Sequence, residues 1–235
     1  MYLTLDLPVN IIEVMVTLFS WCLIIFLAYR YYQKQEEKPK VWKVCVATLV
    51  GLFVFSFDFP MLGTVVKIPI LPLGVWLLLW YASGRGSWDT YRPFAWLGFK
   101  ANFIFIAGTI AAVLLHHAVY PKENLSTYLA HYEDAVIIQL HPSAKEVELN
   151  LDFSGFREEP VVSVEWYQQH IFDDEPHERE EQFPYQLAGT QPKWGSGLPT
   201  MIYVEKDGKG ILVDSSEKQR YFRSDQSILK GGNEE

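Results

Sequence analysis

Cysteine is absent from the second half of this chain; the only two in 235 residues are Cys22 and Cys45, each within an apolar stretch. A disulfide framework and a cysteine-based zinc site are thereby excluded for residues 121–235, so a domain there must rest on its own core. Lysine and arginine are missing from residues 1–10. Without that basic leader, and with an apolar run too long for a cleaved signal, the first hydrophobic segment reads as a retained anchor. Charge is also missing near the middle of every long apolar run, which argues against a proton relay or charged transport path. Basic residues are scarce in the second half too. Residues 121–235 carry 22 acids and 11 bases, a net of −11, whereas residues 1–120 carry 6 acids and 9 bases, a net of +3. A phosphate-binding face needs an excess of Lys and Arg, so nucleic acid is excluded as an expected partner of the acidic half.

Four apolar runs fill the first half, at about 11–31, 41–57, 68–82 and 101–119. Crossing a bilayer takes about 17–25 residues at a rise of about 1.5 Å each. The first and fourth runs meet that length, the second does so with its flanks, and the third opens on Pro69 and Pro72. Prolines are tolerated in a first helical turn, where the missing N–H has no partner to lose. The expectation is an α-helical transmembrane bundle of about four helices over residues 1–120.

Orientation follows from the cationic residues. Arg30, Lys34, Lys38, Lys40 and Lys43 follow the first run, and Arg85, Arg92 and Lys100 follow the third. In a four-span arrangement these lie on one side, which the positive-inside bias makes cytoplasmic. Trp42, Trp80, Trp88 and Trp96 fall near the same interface, where amphipathic rings prefer to sit. The N-terminus and the second half are then expected outside the cytoplasm. A re-entrant third run would reverse the placement of the second half.

After Pro121 the periodicity shortens. Leu125, Tyr128, Leu129 and Tyr132 make the stripe of a brief amphipathic helix. In Lys145–Phe153, Val147, Leu149, Leu151 and Phe153 alternate with polar residues, predicting a strand with one buried face. Ala135–Leu140 and Val161–Tyr167 read as further strands, and Met201–Glu205 with Ile211–Asp214 flank a Lys-Asp-Gly-Lys-Gly turn. Phe172–Trp194, polar and acidic, reads as a long loop. A soluble β-rich α+β domain with an antiparallel sheet is expected over residues 121–230, and a disordered tail over 231–235.

Candidate chemistry is sparse. His170, Asp173, Asp174 and His177, in a run rich in Asp and Glu, are the densest set of possible metal ligands. Their spacing fits neither an EF-hand loop nor H-E-x-x-H, and a solvated acidic loop accounts for them. Gly195-Ser196-Gly197 lacks the glycine spacing of G-x-S-x-G and reads as a turn. Glu13, Asp58, Lys67, His116 and His117 all fall at outer ends of the expected helices and could form a polar cluster there. Each also has a local explanation: Asn10 with Glu13 resembles a capping box, Asp58 precedes Pro60, Lys67 can snorkel, and the histidines favour a helix C-terminus.

These observations lead to the expectation of a multi-pass cell-membrane protein whose outward domain binds a protein or senses the envelope. Its expected partners are the lipid bilayer and another membrane or envelope protein, with no cofactor. The alternative expectation is a membrane-embedded enzyme or transport subunit using the outer polar cluster.

Overall fold

Helix propensity and β propensity divide the apolar runs differently from hydropathy alone. The computed structural model describes residues 9–160, 181–215 and 218–230. The first run forms α1 (Ile11–Gln33), with Glu13 in its first turn and Arg30 in its last, both placed to complement the helix dipole. The fourth forms α4 (Trp88–Val119), which starts 13 residues earlier than the hydropathy run because an Asp89-bearing polar turn opens it. These two helices are long and apolar enough to cross a membrane, by length and composition, with 18-residue windows of mean hydropathy 2.4 and 1.8.

The middle runs are where the expectation fails. Helices over 41–57 and 68–82 are replaced by α2 (Val41–Gly51), β1 (Phe55–Met61), β2 (Thr64–Leu71) and α3 (Leu73–Ser83). The physical reasons are legible afterwards. Gly51 closes α2, and the following Phe-Ser-Phe-Asp-Phe alternation suits a pleated strand better than a helix. Thr64, Val65, Val66 and Ile68 are β-branched, and Pro69 cannot donate within a helical turn. A two-residue turn joins the strands, with Leu62 at φ 55 and Gly63 at φ 76, the signs that a type I′ hairpin requires. Each 11-residue helix is only about 16 Å long, short of a hydrocarbon core.

Within the helical unit (Ile11–His116) the helices touch through small residues. Gly51 on α2 and Gly98 on α4 face each other so closely that a Cβ on Gly98 would strike the Thr48 carbonyl and lie 2.8 Å from the Gly51 Cα. A Cβ on Gly74 of α3 would meet the Val50 carbonyl, and one on Gly108 of α4 would lie 2.9 Å from the Ser20 hydroxyl of α1. Small residues at such contacts let the helix backbones approach closely. Asn102 on α4 adds a polar link, donating from Nδ2 to the Leu52 carbonyl just past α2 at 3.3 Å. α2 and α3 run antiparallel: the Gly74 N–H reaches the Phe53 carbonyl at 2.7 Å at one end, and Leu78 packs on the Val44–Ala47 cluster nearer the other.

The β unit (Met1–Asn10 with His117–Glu235) is built on a six-stranded antiparallel sheet. Its order is β3 (Val136–Gln139), β6 (Tyr185–Ala188), β7 (Thr200–Val204), β8 (Gly210–Ser215), β9 (Gln219–Arg223) and β5 (Arg157–Glu159). A separate pair joins β4 (Glu148–Leu149) to β10 (Leu229–Lys230). The short helix α5 (Leu125–Tyr128) buries its apolar stripe: Leu125, Tyr128 and Leu129 join Leu187, Ile202, Val213 and Phe222 in one core. The expected β7–β8 hairpin is present, with Val204 opposite Ile211.

Other strand expectations need correction. Lys145–Phe153 contributes only two ladder residues, and although Val147, Leu149 and Phe153 pack on the core, Leu151 is exposed. The segment read as a loop contains β6, a central strand whose Tyr185 and Leu187 are buried. Val161–Tyr167 and the 231–235 tail lie outside the described residues.

Candidate functional site

The five residues expected to cluster occupy two kinds of structure. Asp58 and Lys67 are not at helix ends. They are directly opposed across the β1–β2 hairpin, both exposed, as an oppositely charged cross-strand pair. Glu13 is exposed in the first turn of α1, and His116 is buried near the end of α4, with His117 exposed beside it. Among the described residues, no three His, Cys, Asp or Glu side chains come together to hold a metal ion. The candidate ligands His170, Asp173, Asp174 and His177 lie outside the described residues.

Sequence reasoning missed a dense polar cluster at the β7–β8 turn. Glu205 is only 6% exposed, at the end of β7. Its Oε2 accepts from the Tyr221 hydroxyl at 2.6 Å and from an Arg223 guanidinium nitrogen at 2.7 Å, and its Oε1 accepts from Gln182 Nε2 at 2.6 Å. Arg223 also donates to Asp207 Oδ2 at 2.8 Å, while Asp207 Oδ1 accepts from the Lys209 N–H at 2.8 Å. Gly210 is required here, because a Cβ there would collide with the Glu205 carboxylate and lie 2.6 Å from the Tyr221 oxygen.

What the cluster can do chemically follows from its saturation. Every buried side-chain nitrogen or oxygen among the described residues has a partner. A carboxylate already accepting three hydrogen bonds has little capacity left for a substrate, and the arrangement locks the turn. The only available signals were the Tyr-x-Arg spacing of β9 and an acid beside an Asp-Gly turn, and neither specifies that they meet.

Burial, together with the Glu205 carboxylate, pushes the Tyr221 phenol above its ordinary value of 10.0. A folded-state value raised above the unfolded one gives stability that is complete below about pH 10 and is lost as pH rises through the folded value. The β unit is therefore expected to resist alkali up to about pH 10 and to weaken above it. Phenolate absorbance should show a late-ionising component that is lost in Tyr221→Phe. An unchanged titration in that variant would mean the hydroxyl is solvated.

One open cleft of about 420 Å³ lies between the end of α1 and the start of α4, lined by Tyr31, Lys34, Glu37, Asp89, Thr90 and Pro93. Gln35 donates across it to the Thr90 carbonyl at 3.1 Å. Its walls carry charges of both signs, and Lys34, Glu37 and Asp89 are exposed, so it lacks the desolvated, convergent polar groups of a small-molecule site. Comparison with family models, curated proteins and solved structures found no match to this chain.

Proposed function

We propose that this chain is a multi-pass membrane protein that presents its β unit outside the cytoplasm, as a module for binding another protein or sensing the envelope. One observation carries the membrane part of this reading. The most apolar 18-residue window of α1 has a mean hydropathy of 2.4, yet only 11% of it is buried. Met15, Leu18, Phe19, Ile25 and Phe26 are all more than half exposed, a surface that water would not tolerate and that hydrocarbon solvates without cost.

Chain parity supports the outward placement. α1 and α4 are two crossings, and the antiparallel α2–α3 excursion returns to the side it left whether or not it traverses fully. The β unit then lies on the same side as the residues preceding α1. The cationic residues after α1 and around the start of α4 favour the cytoplasm for the other side.

The test uses Ser154→Cys, on an exposed turn of the β unit, and Gly84→Cys, an open position between α3 and α4. Both are placed in a Cys22→Ala, Cys45→Ala background. An impermeant maleimide applied to intact cells should label the first and not the second. Labelling of Gly84→Cys alone would place the β unit in the cytoplasm and end the proposal.

A further inference from the structure

The loop Lys193–Gly197 carries an indole that its own unit leaves uncovered. Trp194 is 81% exposed, and it is the only tryptophan among the described residues of the β unit. The loop is nevertheless held at two points. The Trp194 carbonyl accepts from the Tyr120 hydroxyl at 3.0 Å, and Ser196 forms a β-bridge with Asn10. Gly197, at φ 68, makes that second contact possible, since a Cβ there would lie 2.9 Å from the Asn10 nitrogen.

Both tethers sit at the same kind of place in the chain. Asn10 is the residue before α1, and Tyr120 is the residue after α4. A tyrosine side chain reaches about 6 Å, the hydrogen bond adds 3.0 Å and one residue adds at most about 3.8 Å, so the Trp194 carbonyl lies within about 13 Å of the end of α4. The headgroup layer beyond the hydrocarbon is about 5–8 Å deep on each side. That layer is where tryptophan is enriched, its apolar ring and N–H donor each matched to half of the environment.

We infer that the Lys193–Gly197 loop is a lipid contact of the β unit, with Trp194 seated in the headgroup layer of the leaflet at the outer ends of α1 and α4. The inference rests on reading those two helices as spans. A neighbouring Lys193 suits the same surface, since its stem can lie along apolar groups while its ammonium meets phosphate. The loop would fix the height of the β unit above the bilayer, acting as a positioning contact and not as a catalytic group.

The full chain, in a Cys22→Ala, Cys45→Ala background, is reconstituted into phosphatidylcholine vesicles with Trp194→Cys carrying an NBD fluorophore. Expected are blue-shifted emission, protection from iodide, and quenching by a headgroup-region nitroxide lipid roughly twofold stronger than by a mid-chain one. Emission and iodide quenching equal to the free dye would overturn the inference, as would protection from iodide without quenching by either lipid, which would mean a protein surface covers the loop. Leu18→Cys, exposed in the first half of α1 and about 10 Å along the helix from its start, separates the two claims. If the mid-chain nitroxide quenches Leu18→Cys but neither lipid quenches Trp194→Cys, the loop inference fails alone. If Leu18→Cys is also unquenched, the membrane reading fails with it.

Discussion

Gly98→Leu is expected to abolish assembly of the helical unit, whereas Phe103→Leu in the same helix should leave it intact. The difference lies in what each side chain meets. Phe103 is about half exposed and makes ring contact with Phe99 at 5.6 Å, so a smaller apolar side chain removes little. At Gly98 the first added carbon already lies against the Thr48 carbonyl and Gly51 backbone. Overpacking costs about 1–3 kcal/mol where side chains can shift aside, and more where the obstruction is backbone, which cannot. Separating α2 from α4 would also break the Asn102 link to Leu52. The readout is the monodisperse fraction after detergent extraction. Gly98→Ala should fall between wild type and Gly98→Leu, and a fully monodisperse Gly98→Leu protein would show that the α2–α4 approach is wrong.

Phe222→Ala should cost the β unit about 3–5 kcal/mol, against a typical total of about 5–15 for a domain. Phe222 is fully buried in β9, where its ring tilts against Tyr128 of α5 at a centroid distance of 6.2 Å. It thereby joins the sheet to the helical turn that covers it. Leu151→Ala should cost well under about 1 kcal/mol, because Leu151 is exposed despite its place in an alternating run. A segment spanning 118–230 suits the measurement, since the core is drawn from residues 125–229. Urea unfolding should show a large midpoint shift for Phe222→Ala and almost none for Leu151→Ala. Equal shifts would mean that the alternation, and not the sheet found here, describes the packing.

That pair also illustrates what local pattern conveys. The α1 and α4 helices, the α5 stripe and the β7–β8 hairpin were legible because each depends on neighbours a few residues away. Leu151 was misread because alternation reports that one face is apolar, not that a partner strand exists along its whole length. β6 escaped notice because four residues, Tyr185–Ala188, alternate too briefly to stand out beside an acidic run. Only its position between β3 and β7, a non-local fact, makes it central. The Asp58–Lys67 pair failed for the same reason in reverse. Hydropathy averages over a window and cannot see that Leu62-Gly63 folds the chain back on itself. The Glu205 cluster joins residues from 182 to 223 and had no local signature.

The antiparallel return of α3 along α2 bears on biogenesis. If α1 and α4 span the membrane as proposed, an insertion machinery has to commit, among the described residues, to only these two segments of full hydrophobic length. In that topology the intervening excursion would enter and leave by one face, so it could be threaded late, or after the rest of the helices have settled, without inverting anything that follows. Errors in the most ambiguous stretch of the polypeptide would thus be uncoupled from the fate of its C-terminal half. A hairpin of two half-length helices tolerates a hesitant translocon in a way that a pair of independent spans does not.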